Sequence, residues 1–267
     1  MAPDLHRYAV RLRTGVTVSA VAQGDRFGVP VVLLHAWGES ARSFDRLLPL
    51  LPPAWHVVAM DQRGHGAADK PPAGYALADL AEDVEAFLEA LNLPPAVLVG
   101  SSSGGYVAQL VAVRSPERVR GLVLAGTPRS LRGRAPFADE LDRLTDPVDP
   151  AWVRACLDWF PRYQKVPDWY VEDRVEDGAV MPAEVWRASL AGLSEAVPPT
   201  ETGPITAPAL ILRGDRDEVL PAADHEKLAA AIPGARLVAY ADTGHLVLWE
   251  QPGQMAADLA GFVAELP

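Results

Sequence analysis

The sequence predicts an α/β fold: a mostly parallel eight-stranded sheet flanked by helices, with a helical insertion in its second half. Three observations carry this. Six near-continuous apolar runs have the composition of strands buried on both faces. Helical patterns separate most of them, the alternation that right-handed crossovers between parallel strands require. One interval between two runs is far too long to be a loop.

Taken in order, residues 7–24 (RYAVRLRTGVTVSAVAQG) alternate apolar and polar around Thr14-Gly15, which predicts an antiparallel hairpin. The six apolar runs follow: VPVVLLHA (29–36), WHVVAMD (55–61), AVLVGS (96–101), VRGLVLAG (119–126), PALILRG (208–214) and ARLVAYAD (235–242). In ALADLAEDVEAFLEAL, Leu77, Leu80, Val84, Phe87, Leu88 and Leu91 share one helical face. A helix after Ser102 ends near Ser115-Pro116, because proline disfavours helical backbone in the residue before it. The last helix begins around Pro252 and buries Leu259, Phe262 and Val263. Residues 127–206 carry the helical patterns PAWVRACLDWF and PAEVWRASLAGL. They predict a helical cap over one edge of the sheet, with residues 1–126 and 207–267 as the core.

Composition narrows the function classes. The 267 residues are 49% hydrophobic, ordinary for a chain that buries a single large core. A net charge of −11 opposes nucleic-acid and anionic-membrane partners, which are bound through Lys and Arg. The chain has no run of eighteen apolar residues, and the start MAPDLHRYAVRLRTG lacks a charged-then-apolar leader pattern, so a cytoplasmic location is expected. Cys156 is the single cysteine, which excludes an internal disulfide, and its setting in WVRACLDWF predicts a buried thiol. Neither zinc-ligand spacing nor a phosphate-cradling glycine loop is present, and no metal or cofactor is expected.

The stretch VLVGSSSGG (97–105) sets three serines at a strand–helix junction. A turn tight enough to present a nucleophile at the sheet edge demands small residues two before and two after it. Ser102 meets this with Gly100 and Gly104, whereas a frame centred on Ser101 would need a small residue at Val99. Ser103 would lie one residue deeper in the helix. A serine hydroxyl needs a base, and the base an orienting acid. His245, in YADTGHLVLWEQP, follows the last strand on the same sheet edge. His35 and His65 fall in tight glycine-bearing turns, where hydrogen-bonding the loop is the expected role, while His6, His56 and His225 are expected to be exposed or structural. For the acid, Asp215, Asp217 and Glu218 of RGDRDEVLP compete.

In these residues the chain resembles the α/β-hydrolase superfamily over essentially its whole length. The order Ser102, Asp217, His245 is that of the fold's nucleophile, acid and base. HAWGES (35–40) resembles the family's oxyanion loop, DQRGHG (61–66) its D-x-R-G-x-G turn, and GDRDEVLP its acid loop, with Gly214, Asp217 and Pro221 aligned. The resemblance selects Asp217 as the acid and implies an oxyanion hole from the backbone N–H groups of Trp37 and Ser103. Ala36 stands where the family usually has glycine, and Ser101 where it often has histidine. Relatives that dehalogenate alkanes or open epoxides carry aspartate at the elbow, so the serine argues against those activities.

The insertion holds four of the seven tryptophans, Trp152, Trp159, Trp169 and Trp186, with Phe160, Tyr163 and Tyr170. An aromatic inner face would take a small apolar or aromatic ester-like substrate. Residues 127–206 have 14 acidic against 9 basic side chains, which disfavours a strongly anionic one. The expected activity is cofactor-free serine hydrolysis of a carboxylic ester or lactone through an acyl-enzyme. Alternatives on the same triad are a perhydrolase (non-haem haloperoxidase) and a carbon–carbon bond hydrolase. From a different class, a ligand receptor or signalling protein on this scaffold is the third.

Overall fold

The computed structural model describes residues 5–133 and 138–267. Residues 1–4, where a leader would begin, and 134–137 of the predicted insertion lie outside the described residues. The hairpin forms as β1 (His6–Arg11) and β2 (Thr17–Gly24), and the six apolar runs as β3 (Val29–Leu34), β4 (Trp55–Met60), β5 (Ala96–Ser101), β6 (Val119–Ala125), β7 (Ala209–Gly214) and β8 (Arg236–Tyr240). They join one eight-stranded sheet in the order β1-β2-β4-β3-β5-β6-β7-β8. β2 is antiparallel to β1 and to β4, and every other pairing is parallel.

Period-two burial explains why the central runs carry no polar face. Val32, Leu34 and Leu98 enter a core on one side of the sheet, built with α1 (Leu77–Ala90) and α2 (Ser103–Arg114). Val31, Leu33, Val97 and Val99 enter a second core on the other side, against Phe44, Leu47, α9 (Val247–Glu250) and α10 (Pro252–Glu265). Each of these central strands must therefore be apolar at consecutive positions. The run at β8 departs from that expectation: at the sheet edge it leaves Arg236 and Ala239 exposed and Leu237 and Val238 half-buried. In α10 Leu259, Phe262 and Val263 are buried, and in α1 so are Leu77, Leu80, Val84, Phe87 and Leu88.

Between β6 and β7 lie α3 (Ala138–Asp142), α4 (Pro150–Leu157), α5 (Asp168–Ala179), α6 (Ala183–Ser194) and α7 (Pro199–Thr202), and α8 (Ala222–Ala231) precedes β8. Leu141, Val153, Val175, Val185, Trp186 and Leu190 form a third apolar cluster, with Tyr75 and the half-buried Trp37 packed on it. Charge ties α5 to the segment after β3: Arg42 pairs with Asp173, Glu176 and Asp177, and Ser40 Oγ donates to Asp177 Oδ2 at 2.7 Å. Among the described residues no helix is long and apolar enough to cross a membrane.

Candidate active site

The β5–α2 junction places Ser102 in a backbone conformation rare outside glycine, φ 46° and ψ −116°. Such a strained residue persists only where its surroundings over-determine it. Here the determinants are close approaches that leave no room for side chains. A Cβ on Gly100 would meet Gly105 Cα at 2.2 Å, and one on Gly104 would meet the Leu34 carbonyl oxygen at 2.3 Å. The small-residue frame thus has a steric cause, and Ser102 is the residue it presents. Ser101 is the buried last residue of β5, and Ser103 opens α2.

Ser102 Oγ lies 3.0 Å from His245 Nε2, and His245 Nδ1 lies 2.9 Å from Asp217 Oδ2. The three side chains come from loops after β5, β7 and β8, all at the carboxyl edge of the parallel strands. The imidazole is nearly buried and stacks on Phe160, centroids 5.5 Å apart at 27°. Burial alone pushes the Asp217 carboxyl up. The hydrogen bond and charge of His245, with the Leu220 and Val219 N–H groups, outweigh it and hold the group below the usual carboxylate range. The competing acids have other partners. Asp215 Oδ1 accepts from the Thr243 N–H at 3.3 Å, and Glu218 accepts from the Tyr163 hydroxyl.

The loop Ala36–Glu39 faces Ser102 from across the sheet edge. Among the described residues the non-glycine positions with positive φ are Asn92, Ser102 and Asp242, so Ala36 occupies ordinary backbone and its methyl group is accommodated. His35 holds this loop: its Nδ1 is 2.8 Å from the Ala36 carbonyl, and its Nε2 accepts from the Gln62 N–H at 3.0 Å. Burial lowers the His35 ring to about 4 and the His65 ring, 5.1 Å away, to about 3. Both are neutral at pH 7, consistent with the loop-holding role expected of them. His6 is exposed, His56 half-buried and His225 fully buried. Glu39 is buried, its carboxyl pushed up by desolvation, and its Oε1 accepts from Trp249 Nε1 at 3.1 Å. The Trp37 N–H, expected to point at an oxyanion, donates to Ser103 Oγ at 2.7 Å.

A cavity of about 680 Å³ opens onto Ser102 and His245, within the range of small-molecule sites. Its wall is mainly apolar, with Leu157, Trp159, Phe160, Trp186, Leu190 and Trp249 prominent. The expected aromatic face is thereby narrowed. Trp159, Phe160 and Trp186 line the cavity, whereas Tyr170 is buried against Trp249 and Trp169 is half-exposed. Trp152 meets Trp159 and Trp186 edge-on from behind. Cys156 is buried as expected, and desolvation pushes its thiol up to about 12. Among the described residues no group of three or more His, Cys, Asp and Glu side chains could hold a metal ion.

The sequence model of the alpha/beta hydrolase fold matches residues 29–175. The chain belongs to the α/β-hydrolase family. A non-heme chloroperoxidase of Streptomyces lividans is 30% identical to it over 90% of this chain and 93% of the relative. A pimeloyl-[acyl-carrier protein] methyl ester esterase of Neisseria meningitidis is 28% identical over 87% and 92%. The solved structure of a hydrolase from Pseudomonas aeruginosa superposes with a TM-score of 0.85 at 27% identity, covering 97% of this chain and 98% of that one.

In this α/β-hydrolase the structure brings together Ser102, Asp217 and His245, the three residues the sequence singles out, and adds two contacts the sequence does not show. The sequence points to the Ser103 N–H alone, yet its side chain accepts from the Trp37 N–H of the loop after β3. Trp37 was read for its N–H alone, yet its indole Nε1 donates to Ser189 Oγ of α6 at 3.0 Å. Neither contact leaves a local signal, since the partners are 66 and 152 residues apart.

Proposed function

We propose that the protein is a cofactor-free serine hydrolase that cleaves a carboxylic ester or lactone through an acyl-enzyme. The unbroken hydrogen-bonded path Ser102–His245–Asp217 carries this reading. His245 Nε2 takes the Ser102 proton as Oγ attacks the carbonyl carbon. The Trp37 and Ser103 N–H groups receive the negative charge on the carbonyl oxygen. The imidazolium, stabilised by the Asp217 carboxylate, passes its proton to the leaving alkoxide. Water then attacks the acyl carbon as His245 removes its proton, and the acid leaves with Ser102 restored.

The apolar, aromatic cavity supports a substrate whose acyl or alcohol part is apolar or aromatic. In this reading residues 127–206 act as a cap over a core of residues 1–126 and 207–267, because the cavity wall takes side chains from both. The Neisseria esterase supports ester cleavage. The Streptomyces chloroperoxidase favours a second acyl acceptor, hydrogen peroxide in place of water, which would yield a peracid from the same acyl-enzyme.

The test is a panel of p-nitrophenyl esters of graded acyl length, with and without peroxide, on wild type and Ser102→Ala. The variant is expected to lose activity by a factor on the order of 10⁶. Equal rates in the two proteins would overturn the proposal.

A further inference from the structure

We infer that the Ser103 hydroxyl occupies the oxyanion site of the resting enzyme, and that the reacting carbonyl oxygen must displace it. The inference rests on the serine-hydrolase reading above. Its observation is the 2.7 Å bond in which the Trp37 N–H donates to Ser103 Oγ. The two donors assigned to the developing oxyanion are the backbone N–H groups of Trp37 and Ser103. One of them is thus satisfied by the side chain of the residue that supplies the other.

A donor aimed at a place where charge will develop needs an acceptor in the resting state, because a shielded N–H without a partner is costly. Ser103 is buried and lines the cavity that contains Ser102, His245 and Trp37, so its hydroxyl sits among the reacting groups. A neutral hydroxyl accepts less strongly than an oxyanion. Exchange of one for the other therefore favours the tetrahedral state. A ground-state carbonyl, itself a neutral acceptor, gains little by the same exchange. The hydroxyl is also tethered beside the donor, so it fills the site without the entropy cost of immobilising a water. It acts as a built-in competitor that weakens every occupant of the hole by the same factor. Ser103 then sets how tightly the hole holds any occupant, separately from the fit of the apolar cavity.

Phenylboronic acid provides the probe. Its boron bonds to Ser102 Oγ as the hydroxyl proton passes to His245, giving a tetrahedral adduct with an oxygen at the oxyanion site. Binding is measured by titration calorimetry, which needs no turnover, on wild type, Ser103→Ala, Ser103→Thr and Ser102→Ala. Ser103→Ala keeps both backbone donors and removes the competitor, so affinity should rise roughly threefold to tenfold, the range of one ordinary hydrogen bond. Ser103→Thr keeps the hydroxyl and should stay within about twofold of wild type. The unliganded Ser103→Ala protein should at the same time melt at a lower temperature, since the Trp37 N–H loses its acceptor. Tighter adduct with a less stable free enzyme is a pairing that a merely structural hydroxyl does not give. Unchanged or weaker binding by Ser103→Ala overturns the inference. Adduct formation that survives Ser102→Ala, or is absent from wild type, overturns the serine-hydrolase reading itself and this inference with it.

Discussion

Asp217 divides its carboxylate between two tasks: Oδ2 meets His245 Nδ1 at 2.9 Å, while Oδ1 accepts the Val219 and Leu220 N–H groups at 2.9 and 2.8 Å. The backbone bonds fix the group, and the other oxygen fixes the imidazole tautomer that leaves Nε2 free to accept from Ser102. Asp217→Asn keeps the shape but can present an amide N–H to the ring and favour the wrong tautomer. Its kcat on ester substrates should fall by a factor on the order of 10⁴. Asp215→Asn, two residues away but bonded only to the Thr243 N–H among its side-chain hydrogen bonds described here, should keep kcat within about tenfold. Equal losses in the two variants, measured by steady-state kinetics, would remove Asp217 from its assigned role.

The β5–α2 junction has little steric room. Gly104→Ala drives a methyl group to 2.3 Å from the Leu34 carbonyl oxygen and 2.5 Å from that of His35. Both atoms are backbone, so neither can swing aside. The variant should lose about 1–3 kcal/mol of stability or more, the range for forced overpacking. It should also lose activity, since the same shift moves His35 and the loop proposed to hold the oxyanion. Thermal unfolding and ester kinetics check both. A variant that melts and turns over like wild type would show that the junction yields more readily than this geometry allows.

His35 ties acid sensitivity to the Ala36–Glu39 loop. In the unfolded chain a histidine gains its proton near pH 6.5, but burial lowers the folded ring to about 4. Between those values the unfolded state binds more protons, so stability rises with pH across the window. The contribution is fully present above pH 6.5. It is lost progressively as pH falls toward 4, in total roughly 3 kcal/mol for this one group. The unfolding midpoint in urea should therefore drop steeply between pH 6.5 and 4, and more gently in His35→Asn. Identical slopes for the two proteins would show that other groups set the acid limit.

How legible all this was in the sequence follows from the range of each interaction. The central strands were legible because burial on both faces forces apolar residues at every position, a local signal that Leu33, Leu34, Leu98 and Val99 all carry. Ser102 was legible because the steric demand of its turn falls on Gly100 and Gly104, two residues to each side. Asp217 was separated from Asp215 and Glu218 by resemblance alone, and the backbone bonds at Val219 and Leu220 give the physical reason. Trp169 and Tyr170 show the limit. Both looked like cavity residues by composition, but which face of α5 packs on Ser43 and Trp249 is decided by tertiary contact. The Trp37–Ser103 bond lies beyond the same limit, since it depends on the distance between two loops.

The arginine of DQRGHG has a partner that the sequence does not reveal. Arg63 Nε and one terminal nitrogen each meet Asp83 of α1 at 2.7 Å, and Asp83 Oδ1 also accepts from the Thr14 hydroxyl at 2.6 Å. The side chains are 9% and 3% exposed. A buried pair is weak evidence of net stabilisation, because desolvation opposes the attraction, but removing one partner strands the other. Asp83→Ala leaves the guanidinium buried with the Gly74 carbonyl as its remaining described acceptor, and should lose about 3–5 kcal/mol. Arg63→Ala should lose a similar amount by stranding the carboxylate. If the pair acts as a unit, the double variant should be less damaged than the sum of the two, a coupling that urea unfolding of the four proteins measures directly. Additive losses would mean that Arg63 and Asp83 stabilise the fold through separate contacts, with Thr14 and Gly74 carrying the larger share.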